Sequence, residues 1–154
     1  METYKQFKGK VAVITGGSRG IGRTIALNFA NHGADIAFNY YRQTEAANQT
    51  LNDILDLGVE CINLKAHLGD PSSITKFFKK VGDRFGRIDY LINNAASGIN
   101  KPATELTTKH WDWTMDINAK APWLCTKESI EYMQPGSRIV NLTSLGSKIV
   151  LKNY

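Results

Sequence analysis

The residues Thr15-Gly16-Gly17-Ser18-Arg19-Gly20-Ile21-Gly22 have the makeup of a loop that holds a charged group against bare backbone. Glycines at Gly16, Gly20 and Gly22 follow a G-x-x-x-G-x-G spacing. Gly16 permits a tight exit from a preceding strand. Gly20 has no Cβ to block a pyrophosphate, and Gly22 lets the following helix pack closely. The first helical turn, with Ser18, Arg19 and Ile21 around it, then offers free N–H groups and a positive dipole end to phosphate oxygens. By itself such a stretch could be a plain turn; between the first strand and first helix of a parallel unit it points to dinucleotide binding. An acid ~20 residues further on would bind a ribose 2′-hydroxyl and select NAD. The corresponding run is Asn39-Tyr40-Tyr41-Arg42, with no acid until Glu45. Arg42, with Arg19, suits a 2′-phosphate, so the expected cofactor is NADPH. The competing reading is two solvated surface arginines.

These residues need a scaffold, and short apolar runs alternate with longer segments of helical period. Strands are expected at Val11–Thr15, Ile36–Tyr40, Val59–Leu64, Arg87–Ile92 and Arg138–Leu142. Helices are expected over Ile21–Asn31, 44–57, Pro71–Phe85 and Thr107–Met133, with Pro71 in a first turn. Strands apolar throughout imply burial on both faces of a parallel sheet, and the helices between them supply crossovers. The expected fold is a doubly wound, Rossmann-like α/β domain covering residues 1–154. Gly58, Gly69, Gly86 and Gly136 fall near element ends and read as turn glycines.

Composition bounds the rest. With 42% hydrophobic and 21% charged residues, the chain is neither low-complexity nor disordered. No apolar run approaches the ~20 residues of a membrane span, and METYKQFKGK lacks the apolar core of a signal peptide. Cys61 and Cys125 in apolar surroundings read as buried free thiols of a cytoplasmic protein. The net charge of +5 comes without a basic block, so no nucleic-acid partner is expected. His32 and His110 lack a second ligand at metal spacing, so no metal site is expected. Trp111 and Trp113 face different directions on one helix; one is expected in the core, the other at a pocket or subunit contact. Lys101 and Lys109 are placed to attract an acidic carrier or are simply solvated.

The turn TGGSRGIG, the run Asn93-Asn94-Ala95-Ala96 and the run Asn141-Leu142-Thr143-Ser144 resemble the short-chain dehydrogenase/reductase family. The resemblance covers essentially the whole chain. Within that family, Asn93–Gly98, His110–Met115, Ile117–Lys120 and Ser144–Ser147 look like the NADPH-dependent enoyl-acyl-carrier-protein reductase of the third type. The resemblance implies that Asn94 and Ala95 line the adenosine ribose, and that His67 and Leu68 stand at the adenine. There the family usually has Asp, and His67 as a surface histidine is the alternative. It further implies that Asn118 orders a water in a proton relay, Ser144 bonds the reacting carbonyl oxygen and Tyr154 supplies the proton. Ser144 and Tyr154 are ten positions apart, closer than in most of the family, and Ser147 competes for the serine role.

The implied reaction is hydride delivery to the β-carbon of an enoyl thioester, with Tyr154 stabilising and protonating the enolate. Reduction of a 3-ketoacyl or other carbonyl substrate is the rival. A phenol with pKa near ~10 needs a nearby cation to act at neutral pH. The family supplies a lysine seven positions beyond the tyrosine, outside these 154 residues. Reductases of this kind need about 200–250 residues, so the sheet is expected to be incomplete on its C-terminal side. An unpaired fifth strand, with Trp123 and Leu124 bared, is expected to follow. Turnover is expected of a longer protein, with a non-catalytic NADP-binding fragment as the alternative. The partners implied are an acyl thioester, an acyl carrier protein, and further copies in a homodimer or homotetramer.

Overall fold

The structure, a computed structural model, describes residues 5–152, so Tyr154 lies outside the described residues. Five strands, β1 (Val11–Ile14), β2 (Asp35–Tyr40), β3 (Cys61–Lys65), β4 (Ile88–Asn93) and β5 (Met133–Asn141), form one sheet in the order β3-β2-β1-β4-β5. Every pairing is parallel. The helices are α1 (Gly20–Asn31), α2 (Thr44–Leu55), α3 (Pro71–Phe85), α4 (Thr108–Met115) and α5 (Ala121–Ser129).

Because side chains alternate across a strand, β1 feeds two cores. Ala12 and Ile14 join Ile36 and Phe38 beneath Ala26 and Ala30 of α1 and Ala47 and Ile54 of α2. Val13 joins Ala37 and Leu91 beneath Ile74, Phe77 and Val81 of α3 and Cys125 of α5. This is the doubly wound α/β architecture the periodicity implies. The chain builds outward from β1 to β3, then returns to place β4 on the other side of β1. A crevice therefore opens above the C-terminal ends of β1 and β4, where the winding reverses.

Several boundaries differ from the sequence reading. α1 begins at Gly20, α2 ends at Leu55 and β3 begins at Cys61. The single helix expected over Thr107–Met133 is α4 and α5 joined by a π turn over Asp116–Lys120, and it ends in a 3-10 turn at Tyr132. Pro122 is a physical reason for the widening. It has no N–H to give the carbonyl of Asn118, four residues earlier, and its ring crowds that oxygen. β5 begins at Met133 rather than Arg138. Between the pairs Ile88–Met133 and Tyr90–Arg138 it carries extra residues, a bulge with Gly136 at φ 97°. Ser137 Oγ donates to the Ile88 carbonyl at 3.1 Å and holds the bulge to β4.

Burial on both faces describes β1 but not β5, no residue of which is buried. Of the two tryptophans of α4, Trp111 is 65% exposed, whereas Trp113 is half-buried and packs against the core. Trp123 is exposed, whereas Leu124 packs against the core. Cys125 is buried and Cys61 only half so; burial pushes both thiols up to about 12, which keeps them protonated and unreactive. His110 accepts from the backbone N–H of Thr107 in the capping box of α4, and His32 lies at the end of α1. No described helix is long and apolar enough to cross a membrane.

Candidate functional site

The glycine turn leaves β1 at its C-terminal end, and its shape is dictated by close approaches. Gly22 is buried against the turn itself, where a Cβ would sit 2.2 Å from the Gly16 carbonyl oxygen. It therefore packs the helix closely against the loop. Gly20, at φ +55°, has nothing within 4 Å of its Cβ position, so a side chain there would project into open space. Gly17, which the spacing did not single out, is obligatory for packing: a Cβ would lie 2.5 Å from Cβ of Phe38.

Four side chains hold this loop. Asn39, buried in β2, accepts from the Gly16 N–H at 3.0 Å and donates to the Ala66 carbonyl at 2.9 Å, binding the exits of β1 and β3 together. Thr50 of α2 donates to the Ser18 carbonyl at 3.0 Å. Thr15 Oγ1 accepts from the N–H groups of Asn94 and Ala95, both at 3.0 Å. The Asn94 amide donates to the carbonyls of Thr15 and Gly16, so it anchors the turn from β4. Asn39 was legible as a polar residue inside an apolar strand; Thr50 carried no signal at all.

Arg19, the residue before α1, has extended backbone and no side-chain acceptor to cap the helix, unlike Asp70 at α3 and Thr107 at α4. The first N–H groups of α1 thus keep their capacity for an anion. They face a cavity of about 660 Å³. Its lining includes Gly16, Ser18, Arg19, Gly20, Ile21, Gly22, Arg42, His67, Leu68, Asn94 and Ala95, and also Tyr41, Ser97 and Trp113. Among the described residues of that lining there is no carboxylate, and Arg19 and Arg42 are its only arginines. The donor set therefore fits a multiply charged phosphate ester.

A second cavity, of about 720 Å³, adjoins the first and shares Ile21, Asn94, Ala95 and Ala96 with it. Asn118, on the π turn, and Ser144, in the loop after β5, both line it. The Asn118 side chain clamps the loop after β4: it accepts from the Ser97 N–H at 2.9 Å and donates to the Ser97 carbonyl at 2.6 Å. Ser144 accepts from the Gly146 N–H at 3.3 Å, which orients its hydroxyl at the entry of a 3-10 turn. Ser147 is the last residue of that turn. Asn93 donates to Asn141 Oδ1 at 2.8 Å across β4 and β5, while its own buried Oδ1 has no partner among the described residues. Sequence reasoning thus located residues of both cavities and left open which of Trp111 and Trp113 meets a pocket, but it gave no role to Asn39, Thr15 or Gly17.

A parallel sheet whose glycine turn opens the first helix over such a crevice defines a Rossmann-like α/β protein. The family model described as short chain dehydrogenase matches residues 10–154, and the chain belongs to the short-chain dehydrogenase family. It is 30% identical over 148 residues to the tetrahydroxynaphthalene reductase PfmaG of Pestalotiopsis fici, covering 96% of this chain and 53% of that protein. It is 35% identical to general stress protein 39 of Bacillus subtilis, covering 94% and 52%. The chain therefore spans about half the length of these relatives. Among solved structures, a short-chain dehydrogenase from Burkholderia cenocepacia in complex with NADP superposes with a TM-score of 0.92 at 32% identity, over 96% of this chain and 60% of that one. A blue fluorescent protein from a metagenomic library, in complex with NADPH, superposes with a TM-score of 0.87 at 33% identity, over 90% and 57%.

Proposed function

We propose that this chain forms the NADPH-binding part of an oxidoreductase that reduces an enoyl thioester. The observation that carries the cofactor reading is the first cavity, where a bare glycine turn and two arginines meet with no lining carboxylate. The turn and the start of α1 hold the pyrophosphate, and Arg19 and Arg42 hold the 2′-phosphate. Solved relatives in complex with NADP or NADPH support the same choice. Bound there, the cofactor supplies hydride.

The second cavity then receives the acyl group. The Ser144 hydroxyl donates to the thioester oxygen as negative charge develops, and Tyr154 gives the proton. Asn118 holds the loop that separates the cavities and orders a relay water. An acyl carrier protein delivers the substrate, and the working form is a dimer or tetramer. A second reading, a carbonyl reductase, is favoured by relatives named as hydroxynaphthalene reductases rather than as acyl-thioester enzymes.

The cofactor assignment is tested by binding. Charge-assisted hydrogen bonds contribute about 1.5–3 kcal/mol, so Arg42→Ala should weaken NADPH binding by at least about tenfold and leave NADH nearly unchanged. Unchanged NADPH affinity sinks the role of Arg42. For the substrate, the intact protein as its source makes it should turn over a crotonyl thioester and not an acetoacetyl thioester; the reverse pattern establishes the carbonyl reading.

A further inference from the structure

The end of the first cavity away from the glycine turn has a wall that no phosphate chemistry requires. Tyr41 after β2, His67 after β3 and Trp113 of α4 form a continuous cluster of tilted aromatic rings. The ring centroids of Tyr41 and His67 are 4.4 Å apart and those of His67 and Trp113 5.2 Å, with interplanar angles of 44° and 34°. All three residues line the cavity, although they come from three separate elements.

The indole N–H of this wall is already used, and one imidazole nitrogen is buried. Trp113 Nε1 donates to Ser97 Oγ at 2.8 Å, so the indole offers its face. His67 Nε2 is buried without a hydrogen-bond partner. The nitrogen-bearing edge of its ring lies against Gly69, where a Cβ would come within 2.6 Å of Cε1 and 3.3 Å of both nitrogens. The Arg42 guanidinium lies 5.4 Å from the centroid of the Tyr41 ring. No carboxylate among the described lining residues is available to accept from an exocyclic amine.

With the pyrophosphate at the turn and the 2′-phosphate at Arg19 and Arg42, the base lies one ribose further on, over the exits of β2 and β3. That places it against this wall. Stacking accepts any base, because every base has a π-face, whereas selection between bases needs a hydrogen-bonding edge in the site. We propose that Tyr41, His67 and Trp113 read the cofactor's base by stacking, so that the chain accepts a 6-oxopurine about as well as adenine. Trp113 is then an affinity-determining residue of the cofactor site. Ser97 fixes its plane, and through Ser97 the indole is tied to Asn118 in the neighbouring cavity. This inference rests on the NADPH reading above.

The test compares the dissociation constants of NADPH and of reduced nicotinamide hypoxanthine dinucleotide phosphate, by calorimetry and by tryptophan fluorescence. In the unaltered chain the two should agree within about threefold, since neither binding mode uses the 6-substituent. Trp113→Ala should weaken both in parallel by at least about tenfold, and Trp113→Phe, which keeps a face, should retain both within about threefold. A preference for the adenine form above about thirtyfold in the unaltered chain overturns the inference and leaves the cofactor reading standing. So does a Trp113→Ala chain, folded by circular dichroism, that binds NADPH undiminished. Failure of the unaltered chain to bind either dinucleotide overturns the cofactor reading itself, and this inference with it.

Discussion

The β1–β2 side of the sheet and the β5 side carry adjoining cavities on differently built supports. Every residue of β1 is buried, and the loop leaving it is fastened by side chains from β2, α2 and β4. No residue of β5 is buried, and α4 has no fully buried residue either, only Trp113 packed against the core. Ile139 and Val140 of β5 are 38% and 46% exposed, and Trp111, Trp123 and Leu145 add to that apolar surface. The dinucleotide-type cavity is therefore walled by packed strands. The cavity beside it has one wall, Asn141 to Ser144, that little apolar burial supports. Local stability follows buried apolar contact, so opening should be easier on the β5 side.

Three substitutions probe that contrast. Phe38 is fully buried beneath Gly17, and Phe38→Ala should cost about 3–5 kcal/mol in denaturant unfolding and loosen the glycine turn. Asp89 joins the two sides at the opposite end of the sheet. It accepts from the Val11 N–H at 3.0 Å and from Lys10 at 3.1 Å and Arg87 at 2.6 Å. Asp89→Ala should cost about 1–3 kcal/mol at neutral pH, because it strands a buried donor. Burial works to raise the Asp89 pKa, but the bonds from Arg87, the Val11 N–H and Lys10 prevail and hold it below the usual carboxylate range. A depressed carboxylate stabilises the fold above its unfolded pKa, and that contribution is lost as pH falls through the folded value. The difference between Asp89→Ala and the unaltered chain should therefore shrink on acidification from pH about 7 to about 3, as urea melts would show.

Val140→Ala should cost the least, under about 1 kcal/mol, since nearly half of the residue already meets solvent. A cost approaching that of Phe38→Ala would break the comparison, because it would mean that β5 is covered in solution. Amide exchange sharpens it further: β5 N–H groups should exchange at least about tenfold faster than those of β1.

Much of the fold was legible because local signals agreed with tertiary packing. Val11-Ala12-Val13-Ile14 has no polar face, so it suits only a strand covered on both sides. Pro71 and Gly86, with Asp70 as cap, bound α3 at the residues its periodicity implies. The misreadings arose where a non-local partner overrode a local cue. Gly136 read as a turn glycine before β5, yet the Ser137 contact with Ile88 carries pairing back to Met133. The sequence reading ran one helix over Thr107–Met133, whereas the structure breaks it at the π turn before Pro122. The candidate site divides in the same way. Its glycine turn and arginines are consecutive or follow a strand end, whereas the Tyr41–His67–Trp113 cluster joins residues far apart in the chain.

The sequence by itself determined the parallel α/β order, the glycine turn after β1 and the cation that follows β2, because each depends on residue type at fixed local spacing. Only the tertiary structure decided which polar side chains fasten the turn, where the long helix breaks and which tryptophan faces a cavity. Those outcomes depend on which surfaces the crossovers bring together, and a periodicity of 3.6 or 2 gives a residue's face without naming its neighbour.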